Sequence, residues 1–259
     1  MLQHLCNDDL QVIEVSPKDR IFGQVSSKGN QIKWYKDGYY IKCNTWKWYE
    51  DISEVLVSYL CSFTDIKNYV EYHPCKIVEG VNVYYGCYSE GFLMDGEQDI
   101  HFARILKSKG IDMEDATFDV VRDTVSDCVG FDVKDYMGRC FCIDAITSNE
   151  DRHLNNLSVI KTHEGYRESP VYDNGLACLS DVFSYPFSNS IEENLRRVYA
   201  RPFNTDFLRQ IGANMITPIC LNVNEFLNSV KPETKEEIRA LEVIKEGLRR
   251  SEGIAWVRY

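Results

Sequence analysis

Asp151 and Asn156 lie five residues apart in SNEDRHLNNLSVI, residues 148–160, and Asp173 closes the apolar start of SPVYDNGLACL, residues 169–179. An amide oxygen and a carboxylate are hard oxygen ligands suited to magnesium. A further carboxylate beside an attacking hydroxyl completes the set that phosphoryl transfer requires. Any one of these residues alone is weak, because acids and amides crowd turns for local hydrogen-bonding reasons. Their order along the chain is more demanding than their presence.

The elements between them supply the placement. The apolar run LSVI (157–160), a loop KTHEGYRES (161–169) and a second run PVYD (170–173) read as a hairpin that brings Asn156 and Asp173 to one end. Gly175 would let the backbone turn directly after the acid. The Asp-x4-Asn interval equals that of a kinase catalytic loop, with Asp173 and Gly175 in the place of Asp-x-Gly.

Upstream, the first ninety residues are rich in aromatic and β-branched residues (RIFGQV, NQIKWYKDGYYIKC, VNVYYGCY), and Asp37-Gly38 supplies a hairpin turn, so an antiparallel sheet is expected. One helix interrupts it. In YEDISEVLVSYLC the residues Ile52, Val55, Leu56, Tyr59 and Leu60 recur at helical spacing, leaving Glu54 on the opposite face. Beyond residue 92 the pattern turns helical: VVRDTVSDCV, DVKDYMGRCFCIDAI, and two capping boxes, Ser190/Glu193 before ENLRRVYA and Thr234/Glu237 before KEEIRALEVIKEGLRR. In the last of these, Ile238, Leu241, Ile244 and Leu248 form the apolar stripe.

DRHLNNLSVI followed by PVYDNG resembles the HipA-like kinases and, more distantly, the phosphoinositide kinases, whose catalytic loops read Asp-Arg-His-x-x-Asn. Looser likeness runs from about residue 38 to 205 and includes ARPFN (200–204). The resemblance implies an α+β, bilobal protein-kinase-like fold: a small antiparallel-sheet lobe with one helix over residues 1–86, a hinge at 87–92, and a mostly helical lobe over 93–259. It implies ATP and Mg2+ as cofactors and phosphorylation of serine or threonine on a protein. Asp151 would then be the catalytic base and Asn156 and Asp173 the metal ligands, with His153 positioning the loop or assisting proton transfer.

A kinase also needs a cation on the nucleotide phosphates, held by an acid on the neighbouring helix. Lys42 in YYIKC fits the cation; Glu54 is the natural partner, with Glu50 and Asp51 as competitors. Ser26, Ser27, Lys28 and Gly29, in QVSSKGNQ (24–31), offer hydroxyls, an ammonium and backbone amides for phosphate. By the resemblance, Ser26 or Ser27 could also be autophosphorylated. Backbone groups near Cys87 to Ser89 would bind adenine.

Composition narrows the classes. Among 259 residues there are 29 basic and 40 acidic, a net charge of -11, so direct nucleic-acid binding is not expected. No run approaches the ~20 apolar residues of a membrane span, and the first residues lack a secretory layout; a cytoplasmic protein is expected. The ten cysteines sit in apolar segments as reduced core residues, and Cys140-x-Cys142 has no second ligand pair at zinc spacing. His4, His73, His101 and His163 lack metal spacing. A protein substrate is favoured over a lipid or small molecule, and a nucleotide-binding interaction module is the alternative of a different class. An antitoxin-type partner does not follow, because only about 20 residues precede the first sheet, where HipA-like proteins often carry a further subdomain.

Overall fold

The computed structural model describes residues 10–21, 31–44, 48–113 and 116–259. The chain opens with β1 (Gln11–Val15), β2 (Lys33–Lys36), β3 (Tyr39–Cys43), α1 (Glu50–Cys61), β4 (His73–Glu79) and β5 (Asn82–Glu90). These strands form one sheet in the order β1-β4-β5-β3-β2. Asp37 and Gly38 both take positive φ, 50° and 87°, which is the tight turn that joins β2 to β3. The expected all-antiparallel sheet is modified at one edge, where β1 runs parallel to β4. Antiparallel neighbours can be joined by a short turn, whereas β1 and β4 are separated in the chain by β2, β3 and α1.

The sheet curls until its two edges meet: Lys36 Nζ donates to the carbonyl of Glu14 at 2.7 Å. Trp34, Ile41, Cys75 and Ile77 fill the space inside the curl. Arg20 closes it further, donating to Glu79, which also accepts from Trp34 Nε1 at 3.1 Å.

After β5 come β6 (Gln98–His101), α2 (Phe102–Ser108), α3 (Phe118–Val129), α4 (Lys134–Thr147), β7 (Ser158–Lys161) and β8 (Tyr166–Glu168). The chain ends with α5 (Ile191–Leu195), α6 (Phe207–Ala213), β9 (Ile219–Leu221), α7 (Val223–Ser229), α8 (Lys235–Ser251) and β10 (Trp256–Arg258). The arrangement is α+β, as expected. The expected boundary at residue 86 falls inside β5, which continues to Glu90.

Helix α1 departs from the amphipathic expectation. It packs on β4 and β5 to one side and α4 and α8 to the other, so every residue from Glu50 to Ser58 is buried. Its polar residues therefore face partners, not water, and Glu54 is 1% exposed. Helix α4 is buried from Tyr136 to Gly138 and from Cys140 to Thr147, with Cys140 and Cys142 as thiols in the core. It meets α8 so closely at Gly247 that a Cβ there would lie 1.9 Å from the carbonyl oxygen of Ile146.

Other elements end differently from their sequence reading. Helix α5 stops at Leu195, one turn after its capping box, so of the expected ENLRRVYA helix only Glu193–Leu195 is helical, followed by a turn at Arg196 and Arg197. On α8, Ile238 is 47% exposed, and Ala240, Val243 and Gly247 join Leu241, Ile244 and Leu248 on the buried side. The hairpin after Asn156 turns earlier than expected: Thr162 N–H bonds Gly165 O, and β7 pairs with β8 inside the stretch read as loop. Val171 instead bridges Tyr69, held by hydrogen bonds to Asn68 and Val70. Among the described residues no helix is long and apolar enough to cross a membrane.

Candidate active site

Strand β3 alternates its side chains, and Tyr40 and Lys42 both line a cleft of about 750 Å³ between the sheet and the segments that follow it. The Lys42 ammonium donates to Glu54 Oε1 at 2.6 Å, to Asp173 Oδ1 at 3.0 Å and to the Tyr72 hydroxyl at 3.3 Å. Burial alone would disfavour the ammonium, but Asp173 and Glu54 outweigh it and hold the Lys42 pKa well above its ordinary value. Asp173 responds in the opposite direction: burial pushes its pKa up, yet Lys42 and then Lys33 bring it well below the usual carboxylate range.

Glu54 is thus the acid nearest Lys42, and it does more. Its second oxygen accepts the backbone N–H of Asn174 at 2.8 Å, tying α1 to the residue after Asp173. The two competitors are engaged elsewhere. Glu50 accepts from Gln31 at 3.4 Å, and Asp51 accepts the N–H of Ile52 at 2.7 Å while burial pushes its carboxyl up to about 6.

The loop bearing Asp151 and Asn156 leaves α4 through Ser148, whose φ of 57° ends the helix. Its anchor is Arg152, 1% exposed. That guanidinium donates to Asp144 on α4 at 3.0 and 3.1 Å, to the carbonyls of Asn156 and Tyr172 at 3.2 and 2.9 Å, and to Asn174 Oδ1 at 2.6 Å. One side chain therefore joins helix, loop and the Asp173 segment. Asn156 Nδ2 donates to the Asp151 carbonyl at 2.8 Å, which commits its amide nitrogen and turns its amide oxygen away from that bond. His153 Nε2 stands 4.0 Å from Asp151 Oδ1.

Asp173 takes a left-handed φ of 60° itself. Gly175 does not, so the turn expected at the glycine is made by the acid, a residue type that tolerates this region.

Lys42, Ser89, Asp151, His153, Asn156 and Asp173 all line the one cleft. Cys87 does not: it is buried between β3 and β4, opposite Lys42 and Pro74. Ser89 pairs with Tyr40 on β3 but lies past the last β4 pairing, His73 with Tyr88. Ser26, Ser27, Lys28 and Gly29 lie outside the described residues.

Sequence reading missed Arg152 as an anchor, although an isolated acid, Asp144, inside the apolar helix CFCIDAI was a signal that a buried cation must meet it. It also missed Asp99 and His101, which share the cleft-facing side of β6 at the i, i+2 spacing of a strand. Tyr172 donates to Asp99 at 3.0 Å. Three buried cleft-wall atoms, Asp99 Oδ1, His101 Nδ1 and His153 Nδ1, have no hydrogen-bond partner among the described residues.

No protein-family model matches this sequence, and no curated protein does. Solved structures do. The chain is similar to the Helicobacter pylori proinflammatory kinase CtkA, with a TM-score of 0.62 and 13% identity, covering 92% of this chain and 95% of that one. It is also similar to HipA of Shewanella oneidensis MR-1, from a toxin–antitoxin complex with HipB and operator DNA, with a TM-score of 0.51 and 17% identity over 88% of this chain and 65% of that one. The chain therefore has a kinase-type fold, in line with the resemblance carried by DRHLNN and PVYDNG.

Proposed function

We propose that this chain, built on a kinase-type fold, is an ATP- and magnesium-dependent phosphotransferase that acts on serine or threonine hydroxyls of protein. The observation that carries the reading is the convergence of Lys42, Asp151, Asn156 and Asp173 on a single cleft, with Glu54 holding Lys42 from behind, brought together from four separate places in the chain.

The residues fit the cofactors by their chemistry. Asn156 and Asp173 offer hard oxygens of the kind magnesium takes. Cleft-wall atoms without a protein partner, on Asp99, His101 and His153, suit a polar ligand. A volume near 750 Å³ is within the range of small-molecule sites. When bound, the metal-nucleotide would supply the phosphoryl group and offset its charge.

The chain's own residues do the rest. Lys42, oriented by Glu54, presents a fixed cation to phosphate oxygens. Asp151 accepts the proton of the acceptor hydroxyl, and Arg152 holds its loop in place. Asn156 and Asp173 hold the metal, and His153 lines the approach to Asp151. The sheet with α1 forms the nucleotide side, and the region from β6 onward the catalytic side. The connection after Ser89, free of β4, is the place for backbone contacts to the base.

Mass-spectrometric mapping of the chain and of added lysate proteins after incubation with ATP and magnesium tests this. Phosphate on serine or threonine, with Ser26 and Ser27 as candidate positions in the chain itself, supports the reading. ATP binding with no transfer to any protein contradicts it and favours a nucleotide-binding interaction module.

A further inference from the structure

Besides the Arg152–Asn174 bond, the segment between Asp173 and Pro202 meets the loop that carries Asp151 at a second point. The Tyr185 hydroxyl donates to Glu150, the residue before Asp151, and both side chains are buried. Above the Tyr185 ring, 5.8 Å from its centre, lies the exposed guanidinium of Arg197. Nearby in sequence, Arg201 stacks on the ring of Tyr199 at 5.1 Å and donates to its hydroxyl at 2.9 Å. A guanidinium laid on an aromatic face is held in place and still offers N–H groups to an anion.

The local carboxylates are already committed. Asp181 caps the backbone of Phe183 and Ser184, Glu193 closes the Ser190 capping box, and Glu192 pairs with Arg196. Among the described residues neither Arg197 nor Arg201 has a carboxylate partner. In a chain of net charge -11 these are two cations held on aromatic rings without a carboxylate partner among the described residues, Arg197 over the ring of the Tyr185–Glu150 pair and Arg201 four residues further along the chain. Phe183 adds a large exposed apolar surface to the same segment, at 61% exposure.

We propose that this surface docks the acceptor, and that the acceptor is a serine- or threonine-containing peptide segment carrying acidic side chains. The proposal rests on the phosphotransferase reading and names its substrate class. Tyr185, with Arg197 over its ring and its hydroxyl on Glu150, links this surface to the residue before Asp151. The acidic positions should therefore lie within a few residues of the phosphorylated hydroxyl.

The test compares otherwise identical acceptor peptides with Glu, Ala or Lys three and four residues from a single serine, using the full chain, magnesium and labelled ATP. The chain's own phosphorylation and phosphate release are followed in parallel. The Glu peptide should be labelled about five- to tenfold more efficiently than the Lys peptide. The doubly charge-reversed variant Arg197→Glu with Arg201→Glu should prefer the Lys peptide, a rescue that a merely damaged fold would not give. Equal labelling of the three peptides, or a preference that the reversal leaves unchanged, overturns the docking proposal while the phosphotransferase reading stands. Absence of any transfer from ATP, to peptide, chain or water, overturns both.

Discussion

The ammonium of Lys42 stands 2.6 Å from Glu54 and 3.0 Å from Asp173, joining a sheet strand, a buried helix and the end of the catalytic segment through one charge. Glu54 is almost wholly buried, whereas Asp173 keeps 30% of its side chain exposed. The two halves of this contact should therefore behave differently when Lys42 is removed.

Lys42→Met leaves Glu54 charged in the interior. Unfolding by urea should show a loss of about 3–5 kcal/mol, the usual consequence of breaking a buried pair from one side. Replacing both residues, Lys42→Met with Glu54→Gln, should recover much of that stability but none of the transfer activity. Recovery of activity in the double variant would mean that Lys42 serves the fold alone.

Arg152 is the second keystone. A lysine at this position can reach Asp144 but cannot reproduce the planar fork that also serves Asn156, Tyr172 and Asn174. Arg152→Lys is expected to lower stability by about 2–4 kcal/mol and to reduce transfer well over tenfold with Asp151 untouched. Denaturation and initial-rate measurements on the same preparation check both effects.

Asp51 gives a pH signature. Burial raises its carboxyl from 3.8 to about 6, so between these values the folded state binds more protons than the unfolded state. Stability from this group accordingly falls as pH rises through that window, by up to about 3 kcal/mol once it is fully ionised. Asp51→Asn should be more stable than wild type at pH 8, and the gap should narrow as pH is lowered to 5. Melting curves across that range report the trend; a gap independent of pH would contradict it.

Gly247 tests the packing of α8 on α4. Gly247→Ala places a methyl against the Ile146 carbonyl, 1.9 Å from its oxygen before any adjustment, and the helices must separate. A loss of about 2–4 kcal/mol is expected, despite the better helix propensity of alanine. An unchanged melting temperature would show that the helices separate at no cost.

Much of this arrangement is legible in the sequence, and the reasons are local. The Asp37-Gly38 turn, the Thr234 capping box and the helical periodicity around Val121 and Val125 each depend on neighbours within a few residues. The polar spacing from Asp151 to Asn156 and the order ending in Asp173 pointed to the cleft before any coordinates did. What was not legible depends on distant partners. Glu54 reads as the natural partner of Lys42, but on the open face of an amphipathic helix, because nothing in its neighbourhood reveals that α8 and the sheet enclose both sides of α1. Arg152 reads as part of a polar turn until Asp144, Tyr172 and Asn174 surround it. The hairpin register failed for a similar reason: PVYD is apolar and β-branched, but the early turn at Thr162–Gly165 gives β7 another partner and leaves Val171 to Tyr69.

Transfer of the terminal phosphate of labelled ATP, with magnesium and added protein from a lysate, tests the central claim most directly when wild type is compared with Asp151→Asn and Asp173→Asn. Label on protein in the wild type, falling by at least about 10²-fold in each variant with their melting temperatures preserved, is the predicted result. Label that persists undiminished in both variants, or none in the wild type, would contradict the assignment of this cleft to phosphoryl transfer.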